Sequence, residues 1–238
     1  MILRLLGAER LKMKRTWIIA LLILGPIGIM GCMMINFGLR GDYFVRKYPD
    51  DLTSLVMESR MLLYLAIPLA GTLFASLLAG MEHQGSTWKY LFTLPVSRFQ
   101  IYLGKAIPLF LLMTICAGLT VPALGFLWVW ADLSGTIPWE MIIKSVLYPT
   151  LASLPVLALQ LYFSIQWDNQ AWPLTIGIAG ILIAGGISKW LPWAYIRNVM
   201  PLDIGGDNDP HFWLPFAICQ GVILLLIGAT IIMRREVR

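Results

Sequence analysis

Residues 82–105 read EHQGSTWKYLFTLPVSRFQIYLGK. They separate two apolar runs, Met61–Met81 and Ala106–Trp130, each long enough to cross a bilayer, which takes about 20 residues. The segment is too polar to stay in hydrocarbon, yet Glu82–Leu94 has the length and composition of a helix. Trp88, Leu91 and Phe92 fall at i, i+3 and i+4 and so share one face. Lys89 and Thr93 flank that face. Pro95 ends the pattern, because the residue before a proline avoids the helical region. Such a helix either presents an aromatic knob to a groove on a partner or lies with its rings in the head-group region. The pattern alone leaves both open.

Working outward, the 238-residue chain is 58% hydrophobic and 13% charged, with a mean hydropathy of +0.76. Soluble domains carry about 25% charged residues. The apolar runs must pair their own backbone groups in lipid, which predicts helices; the strand alternation of a membrane barrel is absent. The expected fold is all-α: one transmembrane domain over 1–238 with six transmembrane helices, at about 16–39, 61–81, 106–130, 143–165, 171–187 and 212–233. Residues 40–60 read as a solvated loop with room for a short helix after Pro49. In residues 1–15, Ile2, Leu3, Leu5, Leu6 and Met13 occupy roughly half a helical wheel, interrupted by Glu9 and Arg10. This predicts an interfacial helix with its basic side toward anionic lipid head groups. Residues 189–211 are broken by Pro192 and Pro201, and Trp190, Trp193 and Tyr195 suit a membrane interface.

With both termini cytosolic, the cytosolic segments hold 11 Lys/Arg and 4 acids, against 7 and 9 outside. The positive-inside rule favours that orientation. The formal net charge of +5 is therefore a topology signal, not a nucleic-acid-binding surface.

Several chemistries lack their residues. No Lys, Arg, Asp, Glu or His lies near the middle of a predicted span, where an ion-coupled carrier keeps one. There is no P-loop, since Gly104-Lys105 is followed by alanine and lacks the preceding glycine spacing. There is no HExxH, and His83 and His211 fall at opposite faces. Asp203, Asp207, Asn208 and Asp209 do not have EF-hand spacing. Cys32, Cys116 and Cys219 sit in three different apolar runs without metal-ligand spacing. Neither catalytic residues nor a metal nor a bound cofactor is expected on this chain. Eight prolines interrupt the apolar regions: Pro26, Pro68, Pro108, Pro122, Pro149, Pro155, Pro173 and Pro215. They predict kinks.

The combination Glu82, Gly85, Thr87, Leu94-Pro95-Val96-Ser97-Arg98 and Lys105 resembles the cytosolic loop between the second and third spans of ABC-2-type transporter permeases. Glu9, Lys12, Lys14 and Arg15 ahead of the first span resemble the same family less specifically. In size and wording the chain is most similar to small bacterial permeases linked to lantibiotic immunity and antimicrobial-peptide export. The resemblance implies a permease subunit of an ATP-binding-cassette exporter in a bacterial cytoplasmic membrane. ATP would be bound by separate ABC ATPase subunits, and a second permease would complete the pathway. It further implies an elbow helix at 1–15 and ATPase-coupling residues at Glu82, Gly85, Thr87, Trp88, Lys89, Leu91, Phe92, Pro95 and Arg98. Short outer re-entrant helices before the last span, at 189–210, would close an outer gate containing Trp190, Trp193 and Tyr195. The competing readings are a non-transporting scaffold or immunity protein that binds through its outer loops, and an intramembrane enzyme or ion-coupled carrier.

Overall fold

The computed structural model describes residues 2–14, 16–85, 97–184, 188–202 and 209–234, with side chains from Leu6 onward. Among them every regular element is helical. Helix α1 spans Ile2–Met13, α2 Ile18–Lys47, α3 Asp51–Gln84, α4 Arg98–Trp130, α5 Trp139–Ala152, α6 Leu154–Gln166 and α7 Ala171–Ala184. A 3₁₀ turn at Pro192–Ala194 leads into the short α8, Tyr195–Asn198, and α9 covers Pro210–Arg234.

The first departure from expectation is at 40–60. This stretch is not a loop: α2 runs through to Lys47, and α3 starts at Asp51. At 1.5 Å per residue, α2 and α3 are about 45 and 51 Å long, well beyond a hydrocarbon core of about 30 Å. The charges that suggested solvent line a helical hairpin stem. Glu58 on α3 accepts hydrogen bonds from Asn36 Nδ2 (3.1 Å), Lys47 Nζ (3.2 Å) and Tyr48 O–H (2.7 Å). Arg40 lies 5.0 Å from the Tyr43 ring centre, and Phe37 and Phe44 pack 5.0 Å apart. Asp50 caps α3, its side chain accepting from Thr53 N at 2.6 Å, which satisfies one of the helix's free N–H groups.

The second departure is in the predicted span at 143–165. It is two helices, α5 and α6, bent by 43°. Pro155 sits in the first turn of α6, where its missing N–H leaves the Leu151 carbonyl without its donor. Pro149 lies one turn before the break. Ser153 covers the junction, with its hydroxyl donating to Thr150 O at 2.6 Å. Four helices, α2, α3, α4 and α9, are long and apolar enough to cross a membrane, and the α5–α6 pair makes a fifth candidate. Helix α7 has 14 residues, about 21 Å, short of a full crossing. The predicted end of that span, 185–187, lies outside the described residues.

Helix α3 is the hub, packing against α2, α4, α5, α6 and α7. Half of its most apolar window is buried within the bundle, against 22% for α2. Its seam with α6 and α7 is tight and polar at one level. A Cβ on Gly177 of α7 would come within 2.4 Å of Thr72 Oγ1 on α3, so only glycine permits this approach. At the same level lies Gln160, fully buried on α6. Oriented so that both ends are satisfied, its amide donates to Pro173 O (3.0 Å) and accepts from Gly177 N (3.1 Å). Those two backbone groups stand four residues apart in α7, so the side chain bonds to both ends of one step of the neighbour's own hydrogen-bond ladder.

Candidate coupling site

Four charged side chains from three helices meet at the end of the bundle that carries α1. Glu9, Glu82 and Lys105 are each 1% exposed; Lys12 is partly open. Lys105 Nζ donates to Glu9 Oε2 at 2.7 Å and to Glu82 Oε1 at 2.6 Å. Lys12 Nζ donates to the same Glu82 Oε1 at 2.6 Å and lies 3.5 Å from Glu9 Oε1. The result is a closed ring of alternating charge with no net charge.

Local structure explains the meeting. Glu9 and Lys12 stand at i, i+3 on α1, which packs against α4. Glu82 is in the last turn of α3, and Lys105 is two turns into α4. The start of α4 is fixed by a capping box: Ser97 Oγ accepts from Gln100 N, and Gln100 Oε1 accepts from Ser97 N, which satisfies donors at the helix start.

Taking each of these ions out of water costs several kcal/mol, offset only by close and well-aligned partners. Burial works against a charged Lys12, but the Glu82 hydrogen bond and the field of Glu9 outweigh it and hold its pKa above the usual lysine value of 10.5. Glu82 Oε2 is buried and has no hydrogen-bond partner among the described residues, while both ammonium groups crowd Oε1.

The neighbouring side chains extend the ties. His83 Nε2 lies 3.0 Å from Ser164 O, and its Nδ1 lies 2.8 Å from Asp168 Oδ1, joining α3 to the turn between α6 and α7. Gln170 Nε2 donates to Ser164 O at 3.0 Å. Arg98 Nη1 donates to Met233 O at the end of α9, 3.2 Å away, where helix carbonyls favour a cation. Both roots of segment 86–96 are thus lashed to the rest of the bundle. The ring offers neither a nucleophile nor an open metal position; what it can do is hold helices in register.

Of the residues expected to couple to an ATPase, Glu82 is buried in the ring, Gly85 is exposed just after α3, and Arg98 opens α4. Thr87, Trp88, Lys89, Leu91, Phe92 and Pro95 lie outside the described residues. Sequence reading missed the ring itself. Its signal was a lone acid in the basic stretch 1–15 and a lone lysine inside the apolar IYLGKAIPLF, since a charge entering a membrane needs a partner. Glu9, read as a break in an amphipathic face, is instead the residue by which α1 docks.

At the opposite end, Tyr195 stacks on Trp213 (5.4 Å) and Trp190 meets Trp213 edge-on (5.1 Å). Tyr195 O–H donates to Trp190 O at 2.8 Å. Trp193 lies against Gly180 of α7, where a Cβ would fall 2.3 Å from the indole. Residues 203–208 of the expected gate stretch lie outside the described residues.

Long apolar helices packed around one hub and tied by charge at one end define a multi-pass helical membrane protein. Residues 5–184 match the family model described as ABC-2 family transporter protein, and the chain belongs to that family. The match contains all four ring residues. The family is a transmembrane permease subunit, not itself catalytic, that normally works with an ABC ATPase subunit. No curated protein and no solved structure matches the chain.

Proposed function

We propose that this chain is the transmembrane permease of an ABC exporter in a bacterial cytoplasmic membrane, with the α1 end facing the cytosol and a separate ATPase seated on segment 86–96. The observation that carries this reading is the lashing of both roots of that segment, through Glu82, His83, Arg98 and Lys105, to α1, α4, the α6–α7 turn and α9. A load applied between Glu82 and Arg98 therefore reaches most of the bundle. Six crossings follow if α5–α6 forms one bent span and α7 a short one. A second permease, of the same or another kind, completes the pathway.

The cargo is an amphipathic compound, with an antimicrobial peptide as in lantibiotic immunity the leading choice. One feature supports this: no Lys, Arg, Asp, Glu or His lies near the middle of a long helix.

The test is a mild-detergent pull-down of the tagged chain from its native membrane with mass spectrometry. A stoichiometric P-loop ATPase should co-purify with the parent chain and be lost in Trp88→Ala/Phe92→Ala, with membrane insertion unchanged. An eluate without an ATPase, under conditions that preserve other membrane complexes, would sink the reading.

A further inference from the structure

Next to the charged ring, the bundle carries a groove that the exporter reading leaves without a use. Thr16 and Trp17 before α2, one stripe of α3, Gln170 just before α7 and Leu174 within it enclose a cleft of about 380 Å³. Ligand pockets typically measure about 300–1,000 Å³. We propose that this cleft binds a phospholipid of the leaflet on the α1 side, one with an anionic phosphate and a hydroxyl-bearing head, as in phosphatidylglycerol. The site goes beyond the exporter reading and needs neither cargo nor ATPase.

Three observations carry the inference. The first is length. Leu73, Ser76, Leu77, Gly80, Met81 and Gln84 line the cleft; at i, i+3, i+4, i+7, i+8 and i+11 they form a single helix face. From first to last they rise about 16 Å, which matches half of a hydrocarbon core of about 30 Å. The groove is therefore one leaflet deep, and its rim lies level with the ring, because Gln84 stands two residues past Glu82. The second is the sorting of polarity. Leu73, Leu77, Met81 and Leu174 give the groove an apolar wall suited to an acyl chain. Gly80 leaves it open: a Cβ there would meet only Gln170 Cγ, at 3.6 Å. Thr16, Gln84 and Gln170 bring uncharged hydrogen-bonding groups to the lining. Hydroxyl and amide groups pair with the hydroxyls and ester carbonyls of a glycerol head and call for no counter-charge. The third is the setting. Trp17 is 80% exposed, and tryptophan favours the membrane interface. Lys14, exposed two residues before Thr16, brings a cation for the phosphate. The neighbouring acids are already held, Glu82 by the ring and Asp168 by His83 Nδ1 at 2.8 Å.

The experiment uses the full chain in nanodiscs of equal phosphatidylglycerol and phosphatidylethanolamine. Native mass spectrometry identifies the lipid that stays on the released protein. A diazirine on the acyl chain of phosphatidylglycerol maps its contacts by peptide. The parent chain should retain phosphatidylglycerol several-fold over phosphatidylethanolamine, with labelling concentrated on residues 73–84. Leu77→Trp, which fills the groove, should lose both lipid and label. Ile223→Trp, on an exposed face of α9, should keep both. Leu77→Trp also alters packing, so its melting temperature in lipid-free detergent is read alongside. Gln84→Leu, at an exposed rim position, carries no such burden: it should keep a lipid but level the preference between the two heads. Equal or greater retention of phosphatidylethanolamine by the parent, labelling spread evenly over all lipid-facing helices, or unchanged retention in Leu77→Trp overturns the proposal. So does labelling of 73–84 that disappears once two chains are cross-linked as a pair, which gives the groove to the second permease. Each readout is independent of ATPase co-purification, so this site and the exporter reading fail separately.

Discussion

The two ends of the bundle are closed by opposite means. At the α1 end, five atoms of Glu9, Lys12, Glu82 and Lys105 meet at 2.6–3.5 Å. At the other, Trp190, Tyr195, Phe212, Trp213 and Phe216 share ring contacts at 5.1–5.9 Å. The ion ring concentrates its energy in few bonds of fixed length and fails if one corner is removed. The aromatic cluster spreads its energy over area, with each pair adding about 0.5–1.5 kcal/mol beyond burial, and it tolerates small displacements. A ring that fails as a unit holds its helices at one relative position, whereas stacked rings tolerate a slide.

The largest blow to this contrast is Lys105→Met. It leaves Glu9 and Glu82 buried without their shared cation and should cost about 3–5 kcal/mol, read as thermal unfolding in detergent. The quadruple variant Glu9→Gln/Lys12→Met/Glu82→Gln/Lys105→Met should recover most of that loss, because it removes all four charges together. No recovery would mean that shape rather than charge closes this end. A middling effect is expected at the other end. Gly180→Ala puts a methyl where the Trp193 indole lies 2.3 Å away, an overpacking worth about 1–3 kcal/mol. Tryptophan fluorescence should report it, and adding Trp193→Leu should relieve it.

The smallest effect separates the ends by pH. The pKa of Lys12 is raised in the folded chain, so its stabilising contribution is complete below the ordinary lysine value of 10.5 and disappears as pH climbs through the higher folded value. Proteolytic release of α1 should therefore be flat across neutral pH and rise only in strong alkali. A rise near neutrality would exclude Lys12 as the titrating tie.

Much of this architecture was legible from composition. The apolar runs locate α2, α3, α4 and α9, and the basic stretch 1–15 announces α1. What escaped did so for physical reasons. Residues 40–60 look like a loop because charge density stands for solvent exposure, yet Arg40, Lys47 and Glu58 are satisfied along a helical stem. Pro149 and Pro155 signal a kink, but nothing local distinguishes a kink from the 43° break at Ser153. The pairing within the ring could not be read: the lone Glu9 and the lone Lys105 each call for a partner, but they are 96 positions apart, and no periodicity links residues on separate helices. The family resemblance rested on the right segment, but it marked Glu82 among the ATPase-coupling residues without showing that its carboxylate is buried.

The amide of Gln160 has a mechanical meaning beyond packing. It sits in the backbone of α7 like a key in the slot of a shaft. Turning or sliding α7 against α6 would withdraw the key: Pro173 O and Gly177 N–H can pair with each other as any i, i+4 pair does, but the buried Gln160 amide loses both partners, a penalty of several kcal/mol. Helices α6 and α7 therefore travel as one plank, so any rearrangement that opens a path through this protein has to divide the bundle along some other seam.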